Sequence, residues 1–553
     1  MNSSIVRPGA LLLALGMAFG LSACNKDNAQ TAAPAASGSA GGASEGSQSI
    51  TINNGAEPES LDPHKVSGVP ESHLLTQLLE GLTSTDKDGN TAPGMAESWE
   101  SADNQVWIFK LRDAKWSDGS PVTAEDFVYS LRRLVDPKTG SPYASYLDDA
   151  HVLNAGDVMN GKKAPDTLGV KAVDERTLEI TLSQPVPYFP DMLVHTSVKP
   201  VNKKAVEQHG DKWTSPENFV SNGPYKLKSW EVNSQIVLER NPGYYDNANT
   251  KIDRAVFLPI SSPPTDVNRY KAGEVDFTYN DLPSDQFQTL KKEMGEEMKT
   301  SPLLCVYYYE TNTVKPPFDD VRVRRALALA LDRDTFAEKV VGRGETAAYQ
   351  FTPTATQGIV PNKPEWAGWS QEQRVAEAKK LLTEAGYSEA KPLSFDLLYN
   401  TNENHKKNAV AAAALWKQTL GFVNVNLANQ EWKTYLESRR SGKYQMARAG
   451  WCADYNEPSS FLNILKTGNS NNHGKYSSAE FDRLMAETLK PGISTEQRAD
   501  LYRQAEAVLD KDMPNINVYH YANVRLVKPY VEGYSVKDPM DNFHLKYMSV
   551  AKH

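Results

Sequence analysis

Twelve residues, Ala447 to Pro458, read Ala-Arg-Ala-Gly-Trp-Cys-Ala-Asp-Tyr-Asn-Glu-Pro and gather several chemically able groups. They hold a guanidinium (Arg448), a bare backbone position (Gly450), a large aromatic (Trp451), a thiol (Cys452) and a carboxylate (Asp454). That set suits a short guest charged at both ends, such as a free peptide. Asp454 can take an ammonium, because charge-assisted hydrogen bonds are about twice as strong as neutral ones. Arg448 offers a planar fork to a carboxylate. Gly450 admits close approach of another main chain, as in an added β-strand. Plainer roles exist: an Asp before Tyr-Asn-Glu-Pro suits a turn or cap, and an Arg a surface ion pair.

Catalytic and cofactor signatures are missing. The chain contains no HExxH, P-loop or GxGxxG pattern. Cys305 and Cys452 are too far apart for a CxxC metal knuckle. Peptide hydrolysis needs a nucleophile with its base or a metal-bound water, and neither is spaced recognisably. No metal and no cofactor is expected. A formal net charge of −9, with no basic patch, disfavours nucleic acid as a partner.

At 553 residues the chain exceeds one ordinary core, so two or three domains are expected. Its start reads as an address label: Arg7, then an apolar run from Ala10 to Gly20 too short to span a bilayer. The run ends in Leu21-Ser22-Ala23-Cys24, which matches a bacterial lipoprotein cleavage box and points to lipidation of Cys24. An ordinary leader cut after a small residue is the alternative. Residues 24–48, rich in Ala, Gly and Ser, read as a flexible tether. In an exported chain the remaining cysteines, Cys305 and Cys452, suggest one disulfide; two separate buried thiols are the alternative.

Strands are predicted at Ser49–Asn53, Val106–Phe109, Leu178–Leu182, Val306–Tyr309, Leu393–Tyr399 and Asn517–Leu526. Thr123 with Asp126, and Ser370 with Gln373, read as capping boxes, and Gly386 as a helix stop. A helix opening at Phe318–Leu327 puts Val323, Leu327, Ala330 and Leu331 on one face. Its arginines, close to Asp319, Asp320 and Asp332, read as a solvated, salt-bridged face. Lys271–Asp276 reads as a strand entry.

The pattern Trp116-Ser117-Asp118-Gly119-x-Pro121-Val122-Thr123-Ala124-x-Asp126-Phe127, with Gly68-Val69-Pro70-Glu71 and the 447–458 stretch, resembles the periplasmic oligopeptide-binding proteins. These are the extracytoplasmic receptors of peptide ABC importers, solute-binding family 5. The resemblance runs from about Ser49 to His553 and implies a two-lobed α/β periplasmic-binding-protein-like fold of the three-domain type. Residues 49–79, 203–304 and 522–553 are expected as one domain, 80–202 as an insertion, and 305–521 as the second lobe, with crossovers near 304 and 522. It implies an Asp454 partner for the peptide ammonium, and Arg448, Arg439 and His405 as cationic stations for the carboxylate at different depths. Gly68, Val69, Tyr143, Gly450, Trp451, Cys452, Trp432 and Tyr521 are implied around the ligand, although either Trp equally suits a core. The family pairs the cysteines at Cys305 and Cys452. Where close relatives carry a lysine for longer peptides this chain has Val341, with Arg343 two residues on.

The expected function is capture of short peptides in the cell envelope and delivery to inner-membrane permease and ATPase subunits, as a monomer held to the membrane by its lipid. Rival readings are a murein-tripeptide or dipeptide receptor, a surface adhesion lipoprotein and a peptidase.

Overall fold

The computed structural model describes residues 47–553. The expected leader, Cys24 and nearly all of the tether lie outside the described residues. The tether's last residue, Gln48, is fastened: its amide donates to Asp253 at 2.9 Å and its side chain accepts from the Val550 amide.

Three β-sheets set the architecture. Ser49–Asn53 lies at the edge of a four-stranded sheet, parallel to Arg254–Leu258, which continues through Gln235–Arg240 to Tyr225–Glu231. A second four-stranded antiparallel sheet joins Ala96–Glu100, Val106–Leu111, Thr177–Thr181 and Val170–Asp174. One continuous apolar cluster serves both, with Ile50, Ile52, Phe109, Leu178 and Leu238 among its buried members. The Trp-Ser-Asp-Gly signature belongs to this scaffold: Trp116 is buried and donates to Asp126 Oδ2 at 3.2 Å, the same oxygen that accepts from the Thr123 amide at 2.8 Å.

The third sheet has six strands, centred on Met298–Thr311 between Asn515–Leu526 and Met446–Cys452. Beyond Met446–Cys452 come Leu393–Asn400 and Val423–Gln430, parallel and joined by the crossover helix Glu403–Leu420. A parallel pair requires such a long connection. Leu393, Phe395, Leu397 and Tyr399 alternate inward as predicted, while Ser394 and Asp396 face solvent.

Met298–Thr311 and Asn515–Leu526 run antiparallel over their whole length, but the register breaks between Pro302 and Val306. Past the break their residues enter different cores. Ala522, Val524 and Leu526 pack with Val237 and Val256 of the first sheet, whereas Ile516, Val518 and Tyr519 pack with Leu327 and Trp416.

Two predicted features take another form. Lys271–Asp276 enters no regular strand; it follows the helix Pro263–Lys271 with a turn at Gly273 (φ +76°), and Phe277 makes only isolated bridges. The helix Val321–Ala330 does bury Val323, Leu327 and Ala330, and Arg322 pairs with Asp320 on its exposed side. Arg324, however, is buried and donates to the Asp512 and Met513 carbonyls. Those are open acceptors at the end of the helix Thr495–Asp512, where a cation is favoured. The Ser370–Gln373 capping box forms, and Gly386 (φ +88°) follows its helix.

The two cysteines stand directly opposite each other on Met298–Thr311 and Met446–Cys452 and are joined as a disulfide. Closing a loop of 147 residues restricts the unfolded chain far more than the folded one. Replacing both cysteines by serine is expected to lower the unfolding free energy by about 2–5 kcal/mol. Denaturant unfolding of the double variant against the parent checks this, and coincident curves would refute it.

Candidate functional site

The strand Met446–Cys452 carries the site because its alternation sends Arg448, Gly450 and Cys452 to one face and Ala447 and Ala449, both fully buried, to the other. That first face borders a cavity of about 370 Å³. Every residue expected around the ligand lines it: Gly68, Val69, Tyr143, His405, Trp432, Arg439, Arg448, Gly450, Trp451, Cys452, Asp454 and Tyr521. None of the Trp116–Phe127 signature does.

At one end Asp454 follows the strand by two residues, and its side chain is about one-tenth exposed. Its main-chain amide donates to Ser460 Oγ at 2.7 Å, which fixes the turn. The Tyr143 hydroxyl donates to Asp454 Oδ1 at 3.1 Å, and His195 Nε2 stands 3.2 Å from the same oxygen. His195 Nδ1 accepts from the Ser197 amide, so the ring proton sits on Nε2, the nitrogen nearer Asp454. Burial, with the nearby Lys199 charge, pushes the His195 imidazole down to about 3. Among the described residues Asp454 therefore has one side-chain donor, the Tyr143 hydroxyl, a neutral imidazole close by and no cation. Burial pushes its carboxyl well above the usual carboxylate range, against the Tyr143 hydrogen bond that favours the charge.

At the other end Arg448 is buried without a carboxylate partner among the described residues. Its Nη2 donates to the Tyr521 hydroxyl at 2.6 Å and its Nη1 to Asn400 Oδ1 at 3.2 Å. The guanidinium stands 5.0 Å from the Tyr307 ring centre, and its Nε has no partner. A Cβ at Gly450 would stand 3.3 Å from the Tyr521 hydroxyl and 3.4 Å from Arg448 Nη2. Gly450 lies in regular strand, so space rather than backbone freedom explains the glycine.

The other expected cationic stations differ. Arg439 is held by both oxygens of Glu310, at 3.0 and 3.1 Å, so its charge is neutralised. His405, in the first turn of its helix, is half-buried with a buried, unpartnered Nδ1; desolvation and then Arg448 drive its pKa well below the usual value. Val341 belongs to the core, and Arg343 is buried between Glu345 and Asp281. Arg448 thus carries the one guanidinium of the expected set left without an anion.

Gly68 and Val69 begin the helix Val69–Leu78, with Pro70 in its first turn. A Cβ on Gly68 would fall 2.0 Å from Glu71 Oε2 and 3.0 Å from Trp432, so a side chain there would displace the Glu71 carboxylate. Trp432 is half-buried, stacks on Tyr435 and donates to Glu71 Oε1 at 3.4 Å. Burial, then the Glu59 charge, raises the Glu71 carboxyl to about 7. Trp451 donates to the Ser460 carbonyl at 2.8 Å while one side faces the cavity, so it serves core and wall together.

Polar ties also join segments distant in the chain. Arg440 grips Glu59 through both oxygens (2.8 and 2.6 Å) and reaches Ser67. Lys466 and Asn469 both meet Asp149, at 2.9 and 2.7 Å. His195, Lys199 and Asp149 carried no signal in the sequence; only an acidic or basic residue next to a recognisable pattern could have singled them out.

Residues 90–473 match the model of the bacterial extracellular solute-binding proteins, family 5 Middle. The periplasmic oligopeptide-binding protein OppA of Salmonella typhimurium is 57% identical over 526 residues, 95% of this chain and 96% of that one. A crystal structure of Haemophilus influenzae OppA in complex with RPPGFSPFR is 50% identical, covering 92% of this chain and 99% of that one, with a TM-score of 0.90. The unliganded open form of the murein tripeptide binding protein MppA, 43% identical over 92% of this chain and 98% of that one, gives a TM-score of 0.64. The two lobes here are thus arranged as in the peptide complex rather than as in the open form. On matched residues, identity and architecture together, the chain belongs to the bacterial extracellular solute-binding proteins of family 5.

Proposed function

We propose that this protein is the peptide receptor of an ABC importer, enclosing a short peptide with its ammonium on Asp454 and its carboxylate toward Arg448. The carrying observation is the Asp454 carboxylate, about one-tenth exposed, which among the described residues has the Tyr143 hydroxyl as donor, a neutral imidazole beside it and no cation. A buried charge left without its partner is strongly disfavoured, and a peptide ammonium supplies the missing one. Gly68 and Gly450 both line the cavity without side chains of their own, and recognition of main-chain amides rather than side chains keeps sequence selectivity loose. The relatives' printed names and the nonapeptide complex support this class of ligand.

The register break between Pro302 and Val306 supports the division into residues 49–79 with 203–304 and 522–553, the insertion 80–202, and the second lobe 305–521. The lobes close by hinge motion about the two long strands. The relatives' names support a periplasmic location, and no helix among the described residues is long and apolar enough to cross a membrane. Cys24 anchors the chain by lipid, and inner-membrane permease and ATPase subunits receive the peptide. A murein-tripeptide ligand, as in MppA, is distinguished by mass spectrometry of the ligand that co-purifies.

Calorimetry with free and N-acetylated tripeptides tests the site. The parent is expected to prefer the free amine, and Asp454→Ala to lose about 3–5 kcal/mol for free peptides only. Equal binding of both peptides by both proteins would overturn the Asp454 assignment. The pH dependence has a definite sign. Peptide binding favours the carboxylate, so it releases a proton wherever the raised Asp454 group is protonated in the empty protein. Affinity for free peptides is therefore expected to fall as pH drops through that range, while acetylated peptides show no such fall.

Closure has its own test. Arg440→Ala removes the tie to Glu59 and is expected to cost about 1 kcal/mol of closure, about fivefold in Kd. Small-angle scattering should find the peptide-free variant more extended than the parent; identical profiles with unchanged Kd would exclude a latch role.

A further inference from the structure

The cavity has an arm that the two poles do not use. Past His195 it is lined by Thr83, Ser84, Thr85, Lys199, Asn542 and His544. Lys199 is 5% exposed, and its ammonium donates to the Leu79 carbonyl at 2.9 Å, beside the end of the helix Val69–Leu78. That bond occupies one of three donors. No carboxylate lies within salt-bridge distance of Lys199 among the described residues. The nearby Glu80 carboxylate belongs to another cation, Lys546 at 2.8 Å, and also accepts from the Tyr244 and Tyr245 hydroxyls. Two ammonium groups therefore share one carboxylate beside the cavity wall.

The remaining titratable neighbours do not restore the balance. Burial, then the Lys546 and Lys199 charges, keep the His544 ring neutral, and it faces the Thr85 hydroxyl at 2.9 Å. His195 is neutral and turned to Asp454, and His64, against the Lys199 main chain, is neutral through burial and Arg133. This side of the cavity is polar and holds two amines, Lys199 and Lys546, to one carboxylate, Glu80, with His195 between Lys199 and Asp454 among the lining residues.

We propose that Lys199 forms a subsite for the side-chain carboxylate of an acidic first residue of the bound peptide. The inference rests on the reading that Asp454 holds the peptide ammonium, since His195 links the two groups. A side chain of Asp or Glu leaving that ammonium's Cα enters the arm and supplies the anion the cluster lacks. A neutral isostere leaves it wanting, because hydrogen bonds to charged groups exceed those to neutral ones.

Calorimetry with Glu-Ala-Ala and Gln-Ala-Ala tests this, with N-acetyl-Ala-Ala-Ala against Ala-Ala-Ala as the separate control for Asp454. The parent is expected to bind Glu-Ala-Ala about tenfold tighter than Gln-Ala-Ala, and Lys199→Met to bring that ratio to about one. A free-amine preference with no Glu-over-Gln preference, or a preference that survives in Lys199→Met, overturns the subsite and leaves the peptide-receptor reading intact. Loss of the free-amine preference itself overturns the receptor reading instead. A second measurement on the parent alone covers a variant that does not fold. Burial, offset in part by Glu80 and aided by Lys546, brings the empty Lys199 group down to about 7. An arriving carboxylate raises it again, so near neutral pH Glu-Ala-Ala should take up a fraction of a proton more than Gln-Ala-Ala, read from binding heats in two buffers of different ionisation enthalpy. Equal proton uptake by the two peptides counts against the subsite.

Discussion

A carboxylate shut away from water with no cation beside it constrains everything around it. Asp454 meets that constraint through its neighbours: Tyr143 donates to one oxygen, and His195, held in one tautomer and uncharged, stands 3.2 Å from the same atom. Had His195 been protonated, the protein would have supplied its own counter-ion and a guest ammonium would have gained little. The strand frame makes the arrangement rigid. Cys452 is bonded across to Cys305 two residues before Asp454, and the Ser460 hydroxyl takes the Asp454 amide. Backbone freedom that would let the carboxylate swing toward solvent is removed on both sides.

The opposite pole follows the same logic with the charges exchanged. Arg448 is oriented by neutral groups, Tyr521 and Asn400, over the Tyr307 face, and so keeps its charge available. Arg439 and Arg343 carry the same side chain but are matched by Glu310 and by Glu345 with Asp281, and they act as struts. What separates Arg448 from Arg439 and Arg343 is thus the absence of a carboxylate partner among the described residues, not burial or location. Closure relies on contacts of another kind. The ties across the cleft, Arg440 to Glu59 and Lys466 to Asp149, are polar and partly wetted. Contacts that water can replace allow opening without exposing a hydrophobic core.

Local rules carried far into this chain. Alternation at Leu393–Tyr399, capping at Ser370–Gln373 and the apolar face of Val321–Ala330 all depend on neighbours within a few residues, and each formed. Arg324 did not follow its local acidic company, because the carbonyls it serves lie almost 190 positions away. Similarly, nothing around Arg439 in the chain foretells Glu310. The site residues converge on one cavity, yet Tyr143 and Asp454 are 311 positions apart, and only the family resemblance linked them beforehand. His195 and Lys199 lay in an unremarkable Thr-Ser-Val-Lys context. Their roles arise from which charges they face after folding, a property that spacing along the chain does not encode.

The fields inside the cavity bear no relation to the chain's overall charge. A protein with a formal charge of −9 should repel acidic guests at long range, but that effect is screened within about 10 Å in ordinary salt. Once the lobes meet, the local groups dominate, since low-dielectric walls strengthen each nearby charge. There Asp454 stands as the negative pole, Arg448 as the positive one, and the Lys199–Lys546–Glu80 cluster adds two amines to one carboxylate. Orientation of the guest is therefore decided by a few buried groups. Because the main-chain requirement is generic and the charged requirement local, the same cavity can be permissive about most side chains while discriminating sharply at its ends.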